Sequence, residues 1–190
     1  MKKLILILFI VIVVSCNSKE KEITKPLTET IISEEKVDEK VAIDFYKWYA
    51  SDDNIQSFDV MKELKDSTDF YAIDFEKVEK YLDAFKKTGF VSDRYINEQR
   101  DYFKECEEEF KKNPANDGPP YGLDYDLIMH SQDYEDDLAN TDKIKVVEIY
   151  RKPTESKLKL LFFAGGKIDF TLSKTNEKWL IDKIENGYEE

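Results

Sequence analysis

Apolar positions along this chain recur with two different periods, and the change from one to the other divides it. Val37, Val41, Phe45, Trp48 and Tyr49 fall at three- and four-residue spacing, which places them on one face of a helix. Ser33 is a suitable N-cap, and Glu34 and Glu35 follow in the first turn, where the helix dipole favours negative charge. This first helix is expected to end near Ser51, Asp52, Asp53 and Asn54. A second helix is predicted after Asp74, with Phe75, Val78, Tyr81, Leu82 and Phe85 on one side and a stop at Lys86, Lys87 and Gly89. A third is predicted after Ser92, with Tyr95, Tyr102, Phe103, Cys106 and Phe110 on its stripe and an end at Lys112, Asn113 and Pro114.

From Lys143 onward the period shortens to two. Residues 143–152 carry Ile144, Val146, Val147, Ile149 and Tyr150; Pro153 and Thr154 interrupt them; Leu158, Leu160 and Phe162 then alternate with polar neighbours. Gly165 and Gly166 are expected to supply the positive φ angles of a two-residue hairpin. Ile168, Phe170 and Leu172 form the next apolar face, Thr175 and Asn176 turn the chain, and Trp179 to Ile184 closes the sheet. Helices first and about four antiparallel strands afterwards predict an α+β fold, with N-terminal helices packed on a curved sheet. The strongest break in composition lies between, at residues 113–122 (NPANDGPPYG).

Ahead of the first helix the pattern is of another kind. Lys2 and Lys3 precede 11 consecutive apolar residues, 4–14, about half of the roughly 20 that a membrane-crossing helix needs, and Ser15 and Cys16 follow. That is the layout of a secretory signal peptide over residues 1–15, and the context of Cys16 resembles the lipobox of bacterial lipoproteins. The mature chain is then expected to begin at an acylated Cys16, attached to the lipid bilayer by more than one acyl chain. Residues 16–32 are highly charged and poor in aromatics, as a flexible tether would be, and include a Lys19-Glu20-Lys21-Glu22 run that resembles the surface-export signals of some lipoproteins. Residues 33–190 have the length of one domain.

Charge narrows the partners. Loss of Lys2 and Lys3 takes the formal net charge from −12 to −14, which disfavours nucleic acid and suits a basic protein partner; a small molecule of unspecified charge is the other partner expected. Cys106 would be the one cysteine besides the acylated one, so no intramolecular disulfide is expected.

Phe45-Tyr46-Lys47-Trp48-Tyr49, the Asp124-Tyr125-Asp126 stretch leading into Gln132-Asp133-Tyr134, and the terminal Trp179-Leu180-Ile181-Asp182 resemble an uncharacterised domain family of bacterial lipoproteins within the nuclear-transport-factor-like (cystatin-like) superfold. The resemblance spans residues 36–186 and departs from the family pattern at Leu127, where proline is usual. It implies helices packed into the concave side of the sheet as a cone, a pocket at the open end, and a place in the cell envelope, at the outer membrane. The superfold serves isomerases, dehydratases, protein-binding modules and immunity proteins, so it does not select a function.

Candidate chemistry concentrates in residues 124–142. His130 is the sole histidine, and with Asp133 it makes the weak candidate for acid–base catalysis. In an extended segment His130 and Gln132 would share one face and Asp133 the other, which counts against a dyad. Asp133, Glu135 and Asp137 open like a calcium loop, but Leu138 stands at the glycine position and Ile144 at the final ligand position, so no metal site is expected. Nothing suggests a cofactor: zinc-ligand spacing and a glycine-rich phosphate loop are both lacking. Cys106 lies on an apolar stripe, where a thiol is inert. Tyr46, Trp48 and Tyr49 are candidates to line a pocket, Tyr46 being the one expected to be accessible because it lies off the Phe45 stripe; Tyr46, Gln132 and Asp133 are the candidate binding residues.

Two functions fit these features. One is a non-catalytic, membrane-anchored module that binds a protein or ligand, an immunity-type inhibitor of a basic toxin being one form. The other is a small-molecule isomerase or hydro-lyase using the cone pocket, with His130 or Asp133 as base.

Overall fold

The computed structural model describes residues 37–56 and 58–188. The signal peptide, Cys16, the tether and the Ser33 cap all lie outside the described residues. Among the described residues five helices, two of them a single turn, and a four-stranded antiparallel sheet make an α+β fold with the helices packed against the sheet. In chain order these are α1 (Val37–Ala50), α2 (Asp53–Gln56), α3 (Phe75–Thr88) and α4 (Asp93–Lys112), then one-turn α5 (Glu135–Leu138), a 3-10 turn (Thr141–Lys143), and strands β1 (Lys145–Lys152), β2 (Glu155–Leu161), β3 (Lys167–Thr175) and β4 (Lys178–Asn186). Counting α5, five α-helical segments precede the sheet. Among the described residues no helix is long and apolar enough to cross a membrane.

Local signals fix α3 and α4. The Asp74 carboxylate accepts from the amides of Glu76 and Lys77, and Gly89 ends α3 in a left-handed conformation, φ 70°. Ser92 Oγ accepts from Tyr95 N at 3.2 Å to start α4. Both helices bury the expected stripes, although Phe75 is exposed and Tyr102 only half-buried.

The face of α1 differs from the expected one. Asp38, Ala42, Phe45, Tyr46 and Tyr49 are its buried residues, and Val37 is exposed. The helix is rotated toward Asp38 because Arg151 on β1 supplies that carboxylate with a guanidinium partner, Nε to Oδ2 at 2.7 Å. A charge with an ion-pair partner is tolerated inside, and the stripe follows it. Tyr46 is therefore not accessible: it is fully buried, with its hydroxyl donating to the Ile128 carbonyl at 3.0 Å.

The sheet is a meander, β1-β2-β3-β4. Ser156, Leu158 and Leu160 on β2, and Ile168, Phe170 and Leu172 on β3, point into the core. Its turns depart from expectation by one residue. Phe162 N donates to Gly166 O at 2.8 Å, so the β2–β3 loop is Phe163-Ala164-Gly165, with Gly165 alone at positive φ, 102°. Three residues with the last one left-handed is an ordinary hairpin geometry. Thr175 pairs with Lys178, so the β3–β4 turn is Asn176-Glu177, at φ 50° and 62°. Ile181 N donates to Phe90 O and Ser92 N to Ile181 O, so the link between α3 and α4 covers the β4 edge.

Between α1 and the sheet the space is filled. Tyr46 meets Phe162 edge-on at a centroid distance of 4.7 Å and Phe170 at 5.6 Å, and Phe45 meets Phe170 at 6.4 Å. Trp48 packs edge-on against Phe85 at 5.3 Å, as part of the core surround.

Candidate functional site

A cavity of about 520 Å³ opens at the C-terminal end of α1, away from the sheet. Five parts of the chain build it: Tyr49 of α1, residues 55–61, Tyr81 of α3, Phe103 of α4, and the 123–134 segment. Residues 53–74, for which the apolar pattern predicts no element, are held by a short antiparallel bridge between Met61 and Ile73 and by the buried side chains of Ile55, Val60 and Ile73.

Asp126 organises the 123–134 segment. Its Oδ1 accepts from the amides of Ile128 at 2.8 Å and Met129 at 2.7 Å, its carbonyl accepts from His130 N at 2.7 Å, and its own amide donates to Ser131 O at 3.0 Å. The carboxylate thus caps a tight turn in the way an N-cap residue does, and no proline is needed at Leu127. The Tyr49 hydroxyl donates to Asp126 Oδ2. Burial pushes the Asp126 carboxyl above its usual range, opposed by the Tyr49 bond, by the Met129 and Ile128 amides and by His130. Burial, and then the negative charge of Asp126, raises the Tyr49 hydroxyl well above its ordinary value.

The predicted site residues do not gather here. Gln132 lines the cavity, with its Nε2 donating to Asp124 O at 2.9 Å. His130 and Asp133 instead line a separate hollow of about 190 Å³ beside Phe162, Lys167 and Tyr188. The segment is folded into the Asp126 turn, with His130 at φ 50°, so the expected sharing of faces is reversed: His130 lies with Asp133 and apart from Gln132. His130 Nε2 is 3.3 Å from Ile184 O and its ring stacks beside Tyr125 at 6.3 Å. Burial lowers its pKa, against the opposing Ile184 carbonyl, Asp126 and Glu185.

Asp137, the third carboxylate of the calcium-like run, is buried and accepts from Ala164 N. Among the described residues no group of three or more His, Cys, Asp or Glu side chains is placed to hold a metal ion. Cys106 is buried, and burial pushes its thiol up to about 11. Tyr49, a sequence candidate, does line the cavity; Tyr46 does not. Sequence reasoning missed the role of Asp126, which stood in the quoted Asp124-Tyr125-Asp126 stretch, and it missed Phe58 and Met61.

No protein-family model matches the chain, and no curated protein matches it. Among solved structures, it is similar to a chain in the crystal structure of the type VI effector–immunity complex Tae3–Tai3 from Ralstonia pickettii, at 20% identity and a TM-score of 0.41, over 80% of this chain and 97% of that one.

Proposed function

We propose that the protein is a lipoprotein of the bacterial cell envelope, held at the outer membrane through acylated Cys16, whose domain binds a partner or ligand without catalysis. The lipoprotein family of the nuclear-transport-factor-like superfold remains the kinship proposed for it. The signal-peptide layout of residues 1–16 supports the location.

One observation carries the non-catalytic reading. The imidazole of His130 is engaged by the Ile184 carbonyl, and no carboxylate among the described residues hydrogen-bonds to it. General acid–base work needs a proton carrier free to face substrate. The face of the sheet under α1, where the superfold would keep a pocket, is occupied by Phe45, Tyr46, Phe162 and Phe170. A second reading, an isomerase or hydro-lyase, draws its support from Asp126, a cavity carboxyl raised by burial. Its three hydrogen-bond donors favour a fixed counter-charge over a mobile base.

Fractionation of cells expressing wild type and Cys16→Ser tests the anchor. Wild type stays with membranes after a carbonate wash and the variant moves to the soluble fraction; a variant that stays overturns the lipoprotein reading. For the domain, His130→Ala combined with Asp133→Ala leaves binding of the physiological ligand intact, and loss of function in that folded variant would return the enzyme reading.

A further inference from the structure

The cavity below α1 has an unusual balance of charge. Asp59, Asp124 and Asp126 are among its lining residues, and none of the described lysines, arginines or histidine is. Its volume of about 520 Å³ lies within the range of small-molecule sites. Asp59 and Asp124 are exposed at the rim, and Asp59 is answered from outside by Lys77 at 3.3 Å. Asp126 is half-buried, and no described lysine or arginine forms an ion pair with it. Asp38, the buried carboxylate at the other end of α1, has Arg151.

Asp126 is nevertheless held in one orientation. Tyr49 Oη, Ile128 N and Met129 N donate to it, which fills three of the roughly four acceptor positions of a carboxylate. One position is left for a donor arriving through the cavity. The walls that such a donor would pass are aromatic: Tyr49, Phe58, Tyr81 and Tyr134, with the Phe58 and Tyr81 rings 5.7 Å apart. Ring faces attract cations, most strongly where water is excluded.

These features select among ligand classes. An anion would meet three carboxylates and no lining cation among the described residues, Lys77 standing outside the rim against Asp59. A neutral molecule would leave the charge of Asp126 with its three hydrogen-bond donors and no ion-pair partner among the described lysines and arginines. A bare divalent metal takes about six or more oxygen ligands, and among the described residues no three carboxylate, His or Cys side chains are placed to hold one. A lysine side chain reaching in from a docking protein would leave most of the volume empty. What remains is a protonated amine or a guanidinium carried on an apolar body of its own.

We propose that the cavity walled by Tyr49, Phe58, Tyr81 and Tyr134 binds a small organic cation, with Asp126 as its counter-ion. This deepens the binding-module reading and rests on it for the absence of turnover.

The test uses the full mature lipoprotein in nanodiscs, with empty nanodiscs as the blank, titrated calorimetrically with three probes of one shape. 2-Phenylethylamine is the cation, N-acetyl-2-phenylethylamine the neutral form and 3-phenylpropionate the anion. The amine binds saturably, and the amide and the acid bind at least about tenfold more weakly. Asp126→Asn keeps the shape and the acceptor for Ile128 and Met129, and lowers amine affinity by about tenfold or more. Phe58→Ala, which leaves the Asp126 turn untouched, weakens the amine as well, and serves if the Asn variant fails to fold. Equal binding of amine and amide, or no saturation of wild type by the amine up to about 10 mM, overturns the proposal. Tighter binding of hexalysine than of the amine also overturns it, in favour of a basic protein. Consumption of the bound amine would leave the site standing and remove the non-catalytic reading; no amine binding by a protein that Cys16→Ser still releases from membranes would remove the site alone.

Discussion

Asp38 and Arg151, 113 positions apart, close on each other as a two-pronged ion pair: Nε to Oδ2 at 2.7 Å and Nη2 to Oδ1 at 3.2 Å. Ser156 Oγ donates to the same Oδ2, and Arg151 also reaches Glu39. The Asp38 side chain is almost wholly buried. The first turn of α1 is thereby fastened to β1 and β2.

Removing one partner of such a pair is expensive because the other charge is left inside without compensation. Arg151→Met is expected to lower stability by about 3 kcal/mol in urea denaturation, and Asp38→Asn added to it is expected to recover part of that loss. A loss in Arg151→Met smaller than about 1 kcal/mol would place the pair with ordinary surface ion pairs.

Tyr95 contrasts with Asp38. Its ring is buried beside Phe85 at 6.1 Å, and its hydroxyl is a buried polar atom with no hydrogen-bond partner among the described residues. Leaving such a group unpaired costs about 1 kcal/mol or more. Tyr95→Phe is therefore expected to raise the unfolding free energy by about 1 kcal/mol, read from the midpoint at constant m-value. A destabilised phenylalanine variant would mean that the hydroxyl has a partner.

These relationships also mark what the sequence could show. The ends of α3 and α4 were legible because Asp74, Gly89 and Ser92 act on residues next to them. The buried face of α1 was not, since Asp38 is made tolerable by an arginine that lies far along the chain. Tyr46 was misplaced for the same reason. The strands were legible from alternation, but the hairpin loops turn on which residues take positive φ, and Glu177 does so without being glycine or asparagine. The cavity was the least legible feature, since it draws single residues from five parts of the chain. Asp126 stood in a noticed stretch, yet its importance comes from desolvation, which only tertiary packing creates.

At Glu177 a side chain is held at φ 62° in the second position of the β3–β4 turn, after Asn176 at φ 50°. Both central residues of such a turn need positive φ, which Asn accepts and Glu resists. Glu177→Gly is expected to stabilise the protein by up to about 1 kcal/mol, although the Lys174–Glu177 ion pair at 2.8 Å, exposed on its Glu177 side, is lost. Asn176→Val should do the opposite, and equal thermal midpoints for the two variants would contradict the turn geometry.

His130 gives stability a dependence on mildly acidic pH. Burial lowers its pKa below the usual 6.5, so as pH falls the unfolded chain takes up this proton before the folded one does. Stability contributed at neutral pH is then lost as pH drops through about 6.5 toward the lower folded pKa. Asp126, raised by burial, acts with the opposite sign, gaining stability as pH falls through its own folded pKa toward 3.8. His130→Asn suits the left-handed φ of 50° and removes the imidazole, so its unfolding free energy should be flat between about pH 7.5 and 5.5 while that of wild type declines. Parallel curves for the two proteins would assign the decline to another group.

Gly122 connects α4 to the cavity through close approach. It has φ 70°, and a β-carbon there would stand 2.7 Å from Tyr102 Oη and 3.0 Å from Cys106 Sγ. The Tyr102 hydroxyl uses that closeness to donate to Gly122 O at 2.7 Å, and it meets Tyr125 Oη at 3.2 Å. Leu123, Asp124 and Tyr125, the next three residues, line the cavity. Gly122→Ala has to shift this backbone or displace Tyr102, and is expected to cost about 2 kcal/mol. Tyr102→Phe removes the two hydroxyl contacts without the clash and should cost about 1 kcal/mol. If the segment is positioned as the hydrogen bonds imply, both variants weaken 2-phenylethylamine binding, and Gly122→Ala weakens it more. Gly122→Ala with unchanged affinity and an unchanged melting curve would show that the 122–125 backbone is not held by Tyr102.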